Sequence, residues 1–211
     1  MPSLEKRQGS RLPHWRLPGA IYFVTFRLGD SLPESVVEAY RSDWHDEVER
    51  FVAAQARQPT RVELAAMKRR IIGRVEKYLD QGHGECLLRH DTCSKIVEEC
   101  LLKAPNYELH AYAIMPNHVH SVVRPNADID LSEVVQQWKS VTAHRINEAL
   151  CRRGPVWQKE SFDHIVRTQT DLERFVGYTL ANPHKGNLAE KARCGSAPFP
   201  LDGVPWLGMP E

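Results

Sequence analysis

The sequence has no apolar run that could cross a membrane, because the roughly 20 consecutive apolar residues of a spanning helix occur nowhere in its 211 residues. Its N-terminal stretch, MPSLEKRQGSRLPHW, also lacks the apolar centre of a secretory signal peptide. We therefore expect a cytoplasmic protein. With 42% hydrophobic and 26% charged residues, the composition is that of an ordinary globular chain, and the length fits one domain.

Cysteine is scarce: the chain has five, an odd number, and no two of them form a CxxC motif. This count and spacing argue against a disulfide framework and against a zinc site built from thiolates. We expect reduced, buried thiols, with Cys93 and Cys100 on one face of a helix.

An excess of positive charge is missing as well, since the net charge is only +1. Nucleic-acid-binding domains are often basic, so the overall charge does not indicate one. Locally, residues 1–30 contain five cations against two anions, which gives +3. Such a cationic edge can follow a phosphate backbone, although a solvated tail explains the same charges.

Hydrophobic periodicity divides most of the chain into strands and helices. Residues 20–28, AIYFVTFRL, are apolar on both faces over most of their length, which predicts a central strand covered on both sides. The other predicted strands span residues 107–114, 118–123 and 156–166. The predicted helices span residues 35–53, 62–79, 91–103 and 131–150, followed by a last helix that starts near Asp171, with Thr168 or Thr170 as its cap, and stops before Pro183.

Apart from residues 34–84, the order of elements is strand, helix, strand, strand, helix, strand, which is that of a ferredoxin-like split βαβ fold. We therefore predict an α+β protein with an antiparallel sheet, helices on one face and a further helix at the C-terminal end. Residues 34–84 form a helical insertion in this scheme. We expect one domain over residues 1–190 and an irregular tail, rich in glycine and proline, over residues 191–211.

Two histidines, at positions 118 and 120, stand in the otherwise apolar stretch AYAIMPNHVHSVVRP. In a strand, residues i and i+2 point to the same face, so His118 and His120 project side by side. Two imidazoles at that spacing can bind one divalent cation. They can equally be ordinary hydrogen-bonded histidines, because the chain contains 10 and the spacing alone does not decide.

A second polar pair lies on the last predicted helix, where Tyr178 and Asn182 are four residues apart and share a face. A tyrosine phenol can act as a nucleophile, and an asparagine oxygen can bind a hard cation such as Mg²⁺ or Mn²⁺. Other interpretations stay open for both. Tyr178 can be a half-buried helix residue, and Asn182 can be a helix end before Pro183.

The stretches YAIMPNHVHSVV, VWQKESFDHIV and FVGYTLANPHKGNL together resemble the IS200-like, single-tyrosine (Y1) HUH transposases. LPHWRLPGAIYFVTFRLGDSLP and DQGHGECLL are similar to one group of that family, the REP-associated tyrosine transposases. The resemblance covers about residues 11–190. It implies that His118, His120 and Asn182 are metal ligands and that Tyr178 is the catalytic nucleophile, which makes the last helix a C-terminal catalytic helix.

The resemblance implies a metal-dependent enzyme, using Mg²⁺ or Mn²⁺, that cleaves and rejoins single-stranded DNA near REP-like hairpins through a 5′-phosphotyrosine intermediate. It also implies a bacterial, nucleoid-associated location. Glu160 and His164, on the neighbouring predicted strand, are candidates to support the metal ligands without touching the metal. The residues that we expect to bind DNA, from their charge or aromatic character, are Arg11, His14, Trp15, Arg16, Arg124, Lys139 and Arg145.

Two other functions fit part of the pattern. A domesticated hairpin DNA-binding protein would keep the fold without cleavage activity, although a pure binding protein has no need of all four site residues. A metal hydrolase would use His118 and His120 to activate water, although no obvious carboxylate base follows them at short range. A monomer is favoured by the resemblance to the REP-associated group, and a dimer is the other possibility.

Overall fold

A computed structural model of the chain describes residues 5–8, 13–103, 105–185, 193–198 and 201–207. In this part of the chain, seven strands and five α-helices are found. The strands are β1 (Glu5–Gln8), β2 (Pro13–Arg16), β3 (Tyr22–Arg27), β4 (Tyr107–Ile114), β5 (His118–Pro125), β6 (Phe162–Ile165) and β7 (Arg193–Ser196). The helices are α1 (Glu34–Gln55), α2 (Arg61–Asp80), α3 (Asp91–Leu102), α4 (Leu131–Ala149) and α5 (Gln169–Lys185).

Five strands form one antiparallel sheet in the order β6-β3-β5-β4-β7, while β1 and β2 pair in a separate hairpin. The order of β6, β3, β5 and β4, with α3 and α4 in the two connections, is that of a ferredoxin-like split βαβ fold. The predicted fold class is therefore confirmed. Strand β7 extends the sheet beyond β4.

Both faces of the sheet are covered. Tyr22, Val24 and Phe26 belong to a core that includes residues of α3 and α4, whereas Ile21 and Phe23 belong to a core on the other face, against α5. Successive side chains of a strand point to opposite faces, so burial of both faces makes nearly every residue of β3 apolar. Strand β3 is thus an interior strand covered on both faces, as the sequence predicted.

Residues 30–85 form a compact unit of their own, which contains α1 and α2. The two helices predicted in this region are confirmed, with boundaries within two residues of those expected. Arg70 and Arg74 of α2 form ion pairs with Glu47 and Asp43 of α1. These pairs link the two helices across the hairpin.

Strand β6 is shorter than predicted, since it covers four residues rather than residues 156–166. The ammonium of Lys139 donates hydrogen bonds to the backbone oxygens of Gln158, Lys159 and Glu160, at 3.1, 3.2 and 3.2 Å. The segment pairs again with the chain after β3 at the bridge between Leu28 and Trp157, so the pairing is interrupted next to the Lys139 contacts. The alternating pattern of this segment gave no sign of that contact.

The C-terminal segment was predicted to be irregular, but four of its residues form β7. Arg193 forms ion pairs with Asp91 and Glu98 of α3. Gly195 lies under the ring of Tyr112, where an added Cβ would come within 2.9 Å of a ring carbon. The ion pairs of Arg193 and the close packing of Gly195 thus fix this strand at the edge of the sheet. Neither contact produces a hydrophobic period in the sequence, so the strand was not predicted.

Helix α5 is capped as predicted but ends later. The Thr168 hydroxyl accepts a hydrogen bond from the backbone N–H of Asp171 at 3.0 Å, which confirms one of the two expected caps. The helix passes through Pro183 and ends at Lys185, whereas the sequence predicted that it would stop before the proline. Because Pro183 lies in the last turn, its missing N–H removes a single helical hydrogen bond.

Two further features are the apolar character of the helices and the state of the cysteine thiols. In the ranges that the structure describes, no helix combines the length and apolar character needed to cross a bilayer. The five cysteines form no disulfide in the part of the chain that the structure describes, but Cys151 and Cys194 are exposed, so the expectation of buried thiols is wrong for these two. Cys93 is buried in the core between α3 and the sheet, and Cys100 packs against the same core.

Candidate active site

His118 and His120 lie on the central strand β5, and each is only 1% exposed. Across the strand pair they stand opposite Arg27 and Thr25 of β3. Val119, between them, belongs to the core on the α3 and α4 face. The two imidazoles therefore project together towards the α5 face, as their spacing predicted.

The ring nitrogens of the two histidines are arranged as a chain. The Nε2 atoms of His118 and His120 face each other at 3.0 Å. On the far sides, Nδ1 of His118 lies 2.8 Å from Oδ1 of Asn117, and Nδ1 of His120 lies 2.8 Å from Oγ1 of Thr25. An amide oxygen only accepts, so Nδ1–H of His118 donates to Asn117 and the Nε2 of His118 carries a lone pair.

The pKa of His118 is lowered to about 3, chiefly because burial penalises the charged ring and also because the Arg27 cation is nearby. The ring is therefore neutral at physiological pH. A neutral imidazole with a hydrogen-bonded Nδ1–H presents its Nε2 lone pair to whatever lies beyond it, which is the state in which histidine binds a metal ion.

Phe23 of β3 joins the histidine strand to α5. Its ring stacks on His120 with centroids 5.5 Å apart and on Phe175 of α5 with centroids 4.8 Å apart. The Tyr178 ring then meets His120 edge-on, with centroids 5.5 Å apart and an interplanar angle of 74°. Tyr178 is half-buried, so its ring lies beside the histidine pair with part of its surface open to solvent.

Asn182 follows Tyr178 by one helical turn and is completely buried. Neither its Oδ1 nor its Nδ2 atom has a hydrogen-bond partner among the residues that the structure describes. A buried amide left unbonded is costly, and such a group in a folded protein points to a water, an ion or a ligand at that position.

The described residues contain no group of three or more His, Cys, Asp or Glu side chains that could hold a metal ion. The two histidines alone do not complete a metal site. The predicted third ligand is of a different type, the amide oxygen of Asn182, and both polar atoms of this buried side chain lack a hydrogen-bond partner among the described residues.

The structure describes the side chains of four of the residues expected to bind DNA, and each of the four bonds to another part of the chain. Arg11 lies outside the described residues, and of His14 and Trp15 only the backbone, in β2, is described. Arg16 forms an ion pair with Asp130. Arg124 donates to the backbone oxygens of Gly19 and Asp202, at 3.0 and 3.2 Å.

Lys139 and Arg145 lie on α4, on the face of the sheet away from the histidines. The three hydrogen bonds from Lys139 to backbone oxygens use all the donors of its ammonium, and burial lowers its pKa to about 8. Arg145 pairs with Glu99 at 2.7 Å. DNA contacts by these two residues stay a prediction.

Glu160 and His164 lie in different parts of the structure. His164 of β6 lies near α5, with its ring centroid 5.4 Å from that of Phe175. Glu160 instead lines a cavity of about 740 Å³ beside α4, together with Lys139, Trp157 and Arg16. The histidine pair and Tyr178 do not line this cavity.

Three residues of the site were missed by the sequence reasoning: Thr25, Asn117 and Phe23. Thr25 is a polar residue within an apolar strand and is only 9% exposed, so its hydroxyl needed a partner inside the protein. Asn117 directly precedes the first histidine, where a side-chain hydrogen bond to the next ring is within reach. Phe23 carried no signal beyond its apolar character.

Part of the chain is similar to transposases. Residues 88–173 match the family described as "Transposase IS200 like", a stretch that contains both histidines and ends before Tyr178. The REP-associated tyrosine transposase of Escherichia coli (strain K12) is 28% identical over 80 residues, which are 37% of this chain and 46% of that protein. The aligned part thus spans less than half of the length of this relative.

A solved structure, described as that of the REP-associated tyrosine transposase bound to a REP hairpin, aligns with 16% sequence identity and a TM-score of 0.46. The alignment covers 86% of this chain and 77% of that chain.

The observed arrangement defines a split βαβ protein with paired histidines on a central strand and a tyrosine on the helix that covers them. Residues 88–173 are similar to the IS200-like transposases, and the predicted resemblance to this family and to its REP-associated members is confirmed. The roles of His118, His120, Tyr178 and Asn182 stay predictions.

In the metal-free protein, His118 should make the free energy of unfolding fall as the pH drops below about 6.5. Its folded pKa of about 3 lies below the value in the unfolded chain, so between these values the unfolded chain binds a proton that the folded protein does not. The contribution of His118 to the free energy of unfolding is therefore fully present above its pKa in the unfolded chain. It is lost as the pH falls towards the folded pKa, with a limiting slope of about 1.4 kcal/mol per pH unit.

Urea unfolding at pH 6.5, 5.5 and 4.5, in the presence of a chelator, measures this effect when wild type is compared with His118→Gln. The variant should show the shallower pH dependence over this interval. Equal slopes for the two proteins would show that His118 is not held neutral by its surroundings.

Proposed function

We propose that this protein is a metal-dependent nuclease and strand transferase of single-stranded DNA. It cleaves and rejoins DNA near REP-like hairpins through a 5′-phosphotyrosine intermediate. The observation that carries the proposal is the contact of the Tyr178 ring with His120, whose Nε2 faces that of His118. A nucleophile and two potential metal ligands thus meet on one face of the sheet.

The residues present fit a divalent cation. Two ligands about 2.1 Å from an octahedral cation and at right angles to each other lie about 3.0 Å apart, and the two Nε2 atoms are separated by 3.0 Å. Imidazole nitrogen and amide oxygen are suitable ligands for Mn²⁺ and Mg²⁺. His118, His120 and Asn182 would hold the ion. When bound, it would polarise the scissile phosphodiester and offset charge in the transition state.

Tyr178 supplies the nucleophile. Its phenol oxygen attacks the phosphorus, the bond to the 3′ oxygen breaks, and the products are a 5′-phosphotyrosine and a free 3′-hydroxyl. The proton lost by the phenol is balanced by the proton gained by the 3′ oxygen. Because the new bond is again a phosphoester, the 3′-hydroxyl of another strand can reverse the step and restore a continuous strand.

Edge-on packing of the Tyr178 ring against His120 and Phe23 limits the directions in which the phenol can point. Holding a nucleophile near its target removes much of the entropic cost of the encounter. Because α5 meets His120 of the same chain, the nucleophile needs no second subunit to deliver it. This supports a monomer as the active species.

Hairpin DNA is the substrate best supported by the family. One relative is named a REP-associated tyrosine transposase, and the solved structure is described as bound to a REP hairpin. For this chain, a REP-like hairpin is a proposed partner. The alternative of a hairpin-binding protein without cleavage activity differs in one measurable respect, the covalent intermediate.

Replacing Tyr178 by Phe should abolish covalent attachment to DNA, because the variant keeps the ring packing but lacks the attacking oxygen. The protein is incubated with Mn²⁺ and a 5′-labelled or 3′-labelled single-stranded hairpin, and products are separated on a denaturing gel. Wild type should give an adduct on the strand 3′ of the cut. Tyr40→Phe, on α1, is the matched control and should react as wild type does.

Adduct formation by Tyr178→Phe would remove Tyr178 from the nucleophile role. Hairpin binding by wild type with neither adduct nor cleavage would instead support the non-cleaving DNA-binding protein. Cleavage with a free 5′ end and no trapped species would point to hydrolysis.

Thr25→Val should weaken Mn²⁺ binding by about 10-fold to 100-fold, the usual effect of losing a partner of a metal-ligating histidine. For both Nε2 atoms to face a cation, Nδ1–H of His120 must donate to the Thr25 hydroxyl. Thr25→Ser keeps that acceptor and should bind nearly as wild type does. Isothermal titration calorimetry measures the three affinities.

Thr179→Val serves as the control for loss of a buried hydroxyl, because Thr179 is also fully buried and donates instead to the backbone oxygen of Phe175 at 2.8 Å. It should leave Mn²⁺ affinity close to that of wild type. If Thr25→Val binds Mn²⁺ as tightly as wild type does, Thr25 has no part in orienting His120.

A further inference from the structure

The solvent-exposed side of α2 carries charge of one sign. Nine residues of this helix are exposed, six of them are arginine or lysine, and none is acidic. The six cations are Arg61, Lys68, Arg69, Arg70, Arg74 and Lys77, and the other three exposed residues are Val62, Ala65 and Gly73. The acidic residues of α2, which are Glu63, Glu76 and Asp80, are all partly buried.

The neighbouring helix α1 has the opposite balance. Its exposed charged residues are Glu34, Glu38, Asp46 and Glu49 against Arg41 and Arg50. Arg70 and Arg74 of α2 pair with acidic residues of α1. The other four exposed cations of α2 form no ion pair with any residue that the structure describes.

A helix face that only has to be soluble usually mixes charges of both signs, because like charges on successive turns repel each other. On α2 this repulsion is not relieved by an exposed acid on the same helix. A surface of one sign is suited to a partner of the other sign, and the regular polyanion that a DNA-processing protein meets is the phosphate backbone.

The cations of α2 are spread along the whole helix. Arg61, Arg69 and Lys77 follow one another at intervals of eight residues, so they span about 24 Å of the helix axis at a rise of about 1.5 Å per residue and turn about 160° around it. They therefore form an oblique row across the exposed surface, which a single strand of polyanion can follow. The uncharged exposed residues of this helix are Val62, Ala65 and Gly73, and a Cβ added at Gly73 would meet no atom within 4 Å.

We propose that the exposed face of α2 binds the sugar-phosphate backbone of the DNA substrate, without reading its sequence. The identity of this ligand rests on the proposed function. Helix α2 belongs to the unit formed by residues 30–85, whereas the histidine pair and Tyr178 belong to the other unit. It gives this helical insertion a role in holding substrate.

The test compares two double variants of the full chain that lose the same charge from the same helical unit. Arg69→Gln with Lys77→Gln removes two cations from the α2 face, and Arg41→Gln with Arg50→Gln removes two from α1. Affinity for a fluorescent single-stranded hairpin is measured by anisotropy at several salt concentrations. Circular dichroism melting establishes that both variants are folded.

The α2 variant should bind the hairpin about tenfold more weakly at about 0.1 M salt, and its slope of log affinity against log salt should be smaller by about two. The α1 variant should bind as wild type does. Equal weakening by both variants would overturn the proposal, because it would reflect total charge. Unchanged DNA binding by the α2 variant would also overturn the proposal. If this variant bound DNA as wild type does but no longer bound phosphatidylserine vesicles, the exposed face of α2 would be a membrane-binding surface.

The covalent adduct separates this inference from the function on which it rests. At saturating DNA, the α2 variant should still form as much adduct as wild type, because Tyr178 and the histidines are intact. If wild type forms no adduct while the α2 variant still loses affinity selectively, the proposed cleavage is wrong and the DNA-binding face stands.

Discussion

Two imidazole nitrogens, the Nε2 atoms of His118 and His120, face each other at 3.0 Å in a buried layer of the protein. Two lone pairs at that distance repel, so the contact needs either a shared proton or a cation between them. His118 cannot readily take a second proton, because burial lowers its pKa to about 3. Without metal, the pair is therefore held by one proton, which His120 donates and His118 accepts.

Around that contact, the fold supplies every other element of the site. The central strand β5 places the pair between two paired strands, where it is kept from solvent. Strand β3 contributes Thr25 to the outer nitrogen of His120 and Phe23 to its ring face. Phe23 also stacks on Phe175 of α5, so the same aromatic contact that packs the helix brings Tyr178 against His120.

Local patterns in the sequence were enough for most of the elements and for part of the site. A period of two placed His118 and His120 on one face, and a spacing of four placed Tyr178 and Asn182 on one side of a helix. Contacts between distant segments were not readable in the same way. The bond from Thr25 to His120 depends on strand register, and the bonds from Lys139 to backbone oxygens before β6 depend on the packing of α4. The roles of the four site residues came from the family resemblance rather than from spacing.

Diffraction from crystals soaked in Mn²⁺, with anomalous data collected near the manganese edge, tests the central claim most directly. The account predicts a peak about 2.1–2.3 Å from the Nε2 atoms of His118 and His120 and from Oδ1 of Asn182, with Thr25 and Asn117 still bonded to the outer ring nitrogens. An Mn²⁺ peak elsewhere, with the two Nε2 atoms still hydrogen-bonded to each other, would contradict it.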